Sequence, residues 1–290
     1  MTVLCIGAIN VDEILTLAAP ARAGTSNPAT RRVSPGGVAR NVAENLARLG
    51  VPTTLAGVVG DDREGHDIVE GTSGTGVIMQ VDVLPDCDTG RYSAVVEPDG
   101  KLALGVAAMA IHERMTPDWL AGKARHVDGA DWVFADANLS ADSLAWLRER
   151  AARLAVDAVS LAKAPRLPAP VDLLLCNRDE ATLLADASGD AVALAERLRG
   201  RAEAVVVSDG AGGVGWATAA ASGALPAPAV TCLDETGAGD ALAAGTLFGL
   251  QSGHELARAC AFGVRAAALT VAVQGPCARL SPSILREEAA

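Results

Sequence analysis

The run Asp234–Gly245 reads DETGAGDALAAG. An acid, Asp240, follows two glycines and opens a helix made almost wholly of small residues. A solvated turn does not need that helix, and a buried helix seldom carries Asp in its first turn. The first N–H groups of a helix lack intrahelical partners and carry partial positive charge. Glycines remove side chains at that end, so the N–H groups can surround an oxyanion. Asp240, its charged form favoured by the dipole, is then available as a base for a hydroxyl beside that anion. The simpler alternative is an acid that only stabilises the helix N-terminus. Ala241, Ala243, Ala244 and Gly245 let the helix approach its neighbours closely.

Outward from this run, β-rich apolar segments alternate with helical patterns. They read TVLCIGA (Thr2–Ala8), TTLAGVVG (Thr53–Gly60), DWVFAD (Asp131–Asp136), LAVDAV (Leu154–Val159), VDLLLCN (Val171–Asn177) and AVVVSD (Ala204–Asp209). Unbroken apolar strands separated by helices predict an α/β fold, a mostly parallel sheet with helices on both faces. The strands end in polar residues, among them Asn10, Asp12, Asp136, Asn138, Asp157, Asn177 and Asp209. Ligands of open α/β sheets sit outside the carboxyl ends of the strands, although any one of these residues could instead cap a helix. Two stretches break the alternation. Ile14–Val33 is rich in Ala, Pro, Thr and Arg, and Thr89–Val106 reads as two strands joined by a Pro-Asp-Gly turn. They predict a small β-lid from about 12–34 and 82–108 on a single domain spanning 1–290.

Composition narrows the function. With 290 residues, half of them hydrophobic, the chain can bury a large core. A net charge of −11 and the lack of a basic stripe speak against a nucleic-acid partner. A small anion remains possible, because backbone dipoles can hold a phosphate inside an acidic protein. The six cysteines are scattered without a CxxC pair, and a strand-like run begins at Thr2, which predicts reduced thiols in a cytoplasmic protein. No apolar run approaches the roughly twenty residues of a membrane span. The longest, Ala259–Val273, is interrupted by Arg265 and reads as a core helix.

Further motifs weigh unequally. In SPGGVARNVAENLARLG (Ser34–Gly50), Val38, Val42, Leu46 and Leu49 share one helix face. Arg40, Glu44 and Arg48 form an i, i+4 row of alternating sign, most simply a solvated face. Asn41 and Asn45 flank the apolar stripe, where an amide either satisfies nearby backbone or touches a ligand. The preceding Gly36-Gly37 pair, which permits close approach to the backbone, favours the ligand. Gly210, Gly212 and Gly215 fit GxGxxG, but Gly223, Pro226 and Pro228 break the helix a dinucleotide fingerprint needs. There is no GxxxxGK[ST] run, no GxSxG elbow, and no metal-ligand spacing among His66, His112, His126 and His254.

Taken together, SPGGVARNVAENLARLG, NRDE (Asn177–Glu180), VVVSDGAGGVG (Val205–Gly215) and DETGAGDALAAG stand in the order and spacing of ribokinase-like (PfkB-type) carbohydrate kinases, which the chain resembles over nearly its whole length. The resemblance implies the three-layer ribokinase-like fold and transfer of a phosphoryl group from ATP to a hydroxyl. Asp240 would be the base, and Gly237, Ala238 and Gly239 the anion hole. Asn10, Asp12, Gly36, Gly37 and Asn41 would contact the acceptor. Asn177 and Glu180 would organise Mg2+ through water, and Ser208, Gly210, Gly213 and Thr236 would lie on the nucleotide side. The loop around Asp234 and Thr236 would neighbour a monovalent cation such as K+ in relatives that bind one.

Within the family, SNP (Ser26–Pro28), ADANLSADSLAWL (Ala135–Leu147) and VDAVSLAKAPRL (Val156–Leu167) are most similar to pseudouridine kinases. That likeness adds Asn27 and Asn138 to the substrate contacts and Lys163 to the nucleotide contacts. Ala107 and Ala108 depart from it, standing where a polar or acidic residue precedes the Met. Other implied acceptors are those of ribokinases, fructokinases or adenosine kinases. A homodimer paired through the lid follows by analogy. A catalytically silent binding protein on the same scaffold is the reading from another class, and the intact Gly237–Asp240 signature speaks against it.

Overall fold

A computed structural model describes residues 1–283; residues 284–290 lie outside it. The chain opens with β1 (Val3–Ile6), a hairpin of β2 (Asn10–Leu17) and β3 (Ala29–Gly36), then α1 (Val38–Arg48), β4 (Thr53–Gly60), α2 (Arg63–Ser73) and β5 (Ile78–Leu84). A second hairpin, β6 (Gly90–Val96) and β7 (Leu102–Ala108), leads to the short helices α3 (Pro117–Ala121) and α4 (Ala124–Asp128). The alternation resumes with β8 (Trp132–Asp136), α5 (Ala141–Arg150), β9 (Leu154–Asp157), β10 (Val171–Asn177), α6 (Arg178–Ala185), α7 (Ala191–Arg197) and β11 (Ala202–Ser208). It closes with β12 (Val214–Thr218), β13 (Ser222–Leu225), α8 (Ala238–Gln251) and α9 (Leu256–Val271).

Nine of these strands form one sheet in the order β13-β12-β11-β10-β9-β8-β1-β4-β5. All pairs from β11 to β5 are parallel, and only β12 and β13 run antiparallel at one edge. Alternate residues of β1 enter two different cores. Val3 and Cys5 join α1, α2, α8 and α9 on one face, while Leu4 and Ile6 join α3 to α7 on the other. This is the expected layering, and it requires the continuous apolar strands seen in the sequence.

Helix α8 explains its own small residues. A methyl group on Gly245 would lie 2.7 Å from the Gly263 Cα, so α8 and α9 pack almost backbone to backbone. The stripe Val42, Leu46 and Leu49 of α1 is buried as predicted. The charged row on the same helix is not solvated: Arg40 is 3% exposed and Glu44 7%. Periodicity treats both as surface residues because it cannot see that β3 and the segment around Cys277 cover that face.

The remaining four strands form a separate sheet, β3-β2-β6-β7. It begins at Asn10, and Asp82–Leu84 of the expected 82–108 segment instead extends β5 in the large sheet, paired with Val58–Gly60. The strand predicted over Leu154–Val159 stops at Asp157, and Val159 follows with a φ of 64°, uncommon for a β-branched residue. All six cysteines are free. Among the described residues, no helix is long and apolar enough to cross a membrane.

Candidate active site

Two cavities lie at the carboxyl edge of the large sheet. The smaller, about 170 Å³, lies at the head of α8 and is lined by Gly239, Asp240, Asp157, Asn177, Glu180 and Ser208, among others. The chain enters α8 through Gly237 at φ 77°, a left-handed turn where any Cβ would meet the Pro276 carbonyl oxygen at 2.2 Å. Gly239, two residues on, has nothing within 4 Å of its missing side chain. The first turn of α8 therefore presents its backbone to open space beside Asp240.

The acids around this cavity repel one another. Burial, then Asp12 and Asp136, push the Asp240 carboxyl up to about 7, against a hydrogen bond from Asn41 and the charge of Arg40. Burial, then Glu180 and Asp240, hold Asp157 well above the usual carboxylate range. Burial also raises Glu180, although hydrogen bonds from Asn177 oppose it. Asn177 and Glu180 cap α6 reciprocally: each side chain accepts the other's backbone N–H at 2.9 Å. The box fixes one Glu180 oxygen and aims the residue at the cavity. Among the described residues, no three His, Cys, Asp or Glu side chains are arranged to hold a metal directly.

On the other side of Asp240, Asn41 donates its amide to the Asp240 Oδ2 at 2.6 Å. Asn10 donates to Asp12 at 2.8 Å at the start of β2. A Cβ on Gly36 would strike the Asp12 carboxylate at 2.3 Å, and Gly37 turns into α1 at φ 99°. No side chain of α1 caps its own N-terminus. Asp136, at the end of β8, does so from across the sheet, accepting the N–H groups of Ala39 and Ala8 at 3.0 and 2.9 Å. Its other oxygen accepts the backbone and side-chain N–H of Asn138 at 3.0 and 2.8 Å.

The larger cavity, about 740 Å³, lies below the small sheet and is lined by Arg91, Ala107, Ala108, Met109, His112, Asn138, Lys163 and Arg166, among others. The Lys163 ammonium donates to the Asn138 carbonyl oxygen, and burial depresses its pKa, while Asp136 opposes that shift. Burial likewise lowers His112, whose Nε2 faces the Ile9 carbonyl at 3.3 Å. The two cavities thus divide the residues singled out from the sequence. Lys163, expected beside the nucleotide, lines the larger cavity with Asn138 and not the one that holds Asn177 and Ser208. Gly210 and Gly213 shape the turn between β11 and β12, beyond Ser208, with φ of 53° and 91°. Thr236 donates its N–H to Asp234, which also takes Gly275 N–H and an ion pair from Arg32 at 2.7 Å. Asn27 stands apart: its side chain bonds Arg22 and Thr25 in the loop joining β2 and β3.

Several contributors escaped the sequence reading. Asp157 was visible as a strand-end acid but had no partner to name. Asp136 likewise was visible only as a strand-end acid, Arg40 read as a solvated residue and Arg32 carried no signal, since each acts on a residue at least 97 positions away or through a neighbour's amide.

Comparison with known proteins decides the class. The model of the pfkB family carbohydrate kinases matches residues 2–283. The chain belongs to that family. The Escherichia coli (strain K12) pseudouridine kinase is 31% identical over 258 residues, covering 84% of this chain and 82% of the relative. A carbohydrate kinase from Agrobacterium tumefaciens superposes with a TM-score of 0.86 at 30% identity, over 98% of this chain and 95% of its own. An Arabidopsis thaliana ribokinase complexed with ribose and ATP shares the fold at a TM-score of 0.84 and 22% identity, over 98% of this chain and 97% of its own. The pfkB chain is therefore an ATP-dependent kinase of a sugar or nucleoside, with the ribokinase-like fold.

Proposed function

We propose that the chain phosphorylates the 5′-hydroxyl of pseudouridine, with Asp240 as the base. The observation that carries this reading is the position of Asp240, lining the small cavity on the open head of α8 with its Oδ2 held by Asn41. The acceptor's base end lies in the large cavity, at the Asn138–Lys163 pair, and its sugar end reaches out of that cavity toward Asp12 and Asn41. Asp240 takes the hydroxyl proton as the oxygen bonds to the γ-phosphorus, and the bond to the bridging oxygen of ADP breaks. The backbone of Gly237, Ala238 and Gly239 faces the charge on the transferred group, and Ser208 with the turn at Gly210–Gly213 faces the nucleotide. Such a reaction asks little covalent chemistry of the protein, so position and charge dominate. The small sheet, as a lid, excludes water that would compete as acceptor.

Asn177 and Glu180 fit a magnesium ion held through water. The donors are hard oxygens, and the burial that raises Glu180 and Asp157, with the charge of Glu180 added on Asp157, is what a bound cation relieves. When bound, the ion neutralises charge on the phosphates. The potassium site expected here lies on the backbone around Asp234 and Thr236; the Asp234 side chain is engaged by Thr236, Gly275 and Arg32 and holds that loop in place. The catalytic unit is taken as one domain, and β7, exposed along its length with Leu102, Leu104 and Val106, as the lid edge that pairs two copies.

A second reading, a kinase of another sugar or nucleoside, is favoured by Ala107 and Ala108, which give the base end of the cavity no polar side chain from β7. A turnover panel of pseudouridine, uridine, adenosine, ribose and fructose with ATP and magnesium separates the two. Preference for pseudouridine supports the first; a better substrate among the others overturns it.

A further inference from the structure

Arg40 is the most deeply buried cation near the site, and the kinase reaction as described leaves it without a task. Its donors are nearly all committed. Nε reaches the Gly36 carbonyl at 3.2 Å, Nη2 the Pro35 carbonyl at 3.0 Å, and Nη1 the Glu44 carboxylate. Glu44 is held in turn by Arg48 at 2.5 Å, and Arg48 donates to the Ala278 carbonyl at 2.7 Å. Of the two N–H groups that remain, Nη2 gives its second to the Asn41 Oδ1.

That last bond has a directional consequence. A guanidinium has only donors, whereas an amide has one accepting and one donating end. With Oδ1 drawn to Arg40, the amide nitrogen is left facing Asp240, where it donates to Oδ2. Rotating the amide by half a turn would set NH2 against the guanidinium and oxygen against the carboxylate, two repulsions in place of two charge-assisted bonds. Asn41 alone could adopt either orientation; next to Arg40 it has one.

We propose that Arg40 is a positioning residue, which by fixing the orientation of the Asn41 amide supplies Asp240 with the hydrogen bond that holds its carboxylate in place and charged. The proposal rests on Asp240 being the base. The groups facing Asp240 make this hydrogen bond count. Asp12 from β2, Asp136 from β8 and Asp157 from β9 add negative charge, Glu180 of α6 lines the same cavity, and Cys277 packs from the segment after α9 with its thiol pushed up to about 12. Against these, the described cation and donor acting on Asp240 are Arg40 itself and Asn41.

The test reads Asp240 directly. In protein carrying 13C-labelled Asp, the Asp240 carboxyl signal, assigned by its loss in Asp240→Asn, is titrated in wild type, Arg40→Met, Arg40→Lys and Asn41→Ala. Arg40→Met is made together with Glu44→Gln so that no lone charge stays buried, and thermal unfolding verifies folding. The expected midpoint of the Met variant lies about one pH unit above wild type, as loss of a hydrogen bond and a nearby charge predicts. Lys, with fewer donors, restores part of the shift, and in an Asn41→Ala background the Arg40 change adds less than half of its effect. A folded Met variant with an unmoved midpoint overturns the proposal. So does an undiminished shift in the Asn41→Ala background, which leaves only the bare charge of Arg40. Because the titration needs no substrate, an inactive wild type would count against the kinase reading alone. Under that reading, kcat of the Met variant falls about fivefold at pH 7, as the charged fraction of Asp240 drops, and recovers toward pH 9, with the ATP KM unchanged.

Discussion

The cavity that holds Asp240 and the larger one beside the small sheet are built by different means. The smaller takes its polar lining largely from two short runs, Gly239–Asp240 at the head of α8 and Asn177 with Glu180 at the head of α6, joined by Asp157 and Ser208 from strand ends. Its working parts are backbone N–H groups and helix ends, which short motifs specify completely. The larger is assembled from β6, β7, the turn after β7, and the loops after β8 and β9, with side chains as its working parts. The difference teaches that the reaction and the choice of acceptor are held by separable pieces of structure. Changes in the small cavity should act on kcat, and changes in the large one on the acceptor KM.

The sharpest way to break that division is Asp240→Asn. It is expected to lower kcat by about 10²–10⁴ with nucleotide binding retained, measured by coupled ADP release and by ATP titration. Activity near wild type would remove the base from the reading. Next in size is Gly237→Ala. Its Cβ must displace the Pro276 carbonyl from 2.2 Å, which misplaces the first turn of α8. A loss of about 10² in kcat is expected, near the cost of one anion-hole donor. Steady-state kinetics on the folded variant check this, and a change confined to KM would contradict it.

In the large cavity, Lys163→Ala is expected to raise the acceptor KM about tenfold, the size of one charged hydrogen bond, and to leave the ATP KM alone. A rise in the ATP KM instead would restore Lys163 to the nucleotide side, where the sequence alone had put it. The smallest effect is on stability. The Asp240 midpoint of about 7 lies above its ordinary 3.8, so the folded state holds more protons than the unfolded between those values. Its contribution therefore falls as pH rises through that window. Asp240→Asn should melt higher than wild type by a few degrees (about 4 °C) at pH 8, with little difference at pH 4. Calorimetry at the two pH values gives the comparison, and equal differences at both would sink it.

Much of the small cavity was legible in the sequence, because DETGAGD and NRDE carry their geometry in adjacent positions. The layering was legible too, since strands buried on both faces must be apolar throughout. Asn27 shows the limit of reading by likeness: it lies in the neighbourhood of the small sheet, yet its amide serves its own loop. Arg40 shows the limit of periodicity. An i, i+4 row of charges describes spacing on a helix, not what packs on it, and here β3 and the segment at Cys277 do.

By itself, then, the sequence determined the fold class and the reaction type and singled out Asp240 as the acid proposed to serve it, since each depends on contiguous residues whose backbone conformation they set themselves. Only the tertiary structure decided that Lys163 belongs with Asn138, that Asp136 caps a helix lying 97 residues earlier, and that Arg40 is buried against Asn41. Those contacts arise where strands distant in the chain end side by side, and no local pattern encodes which ends will meet.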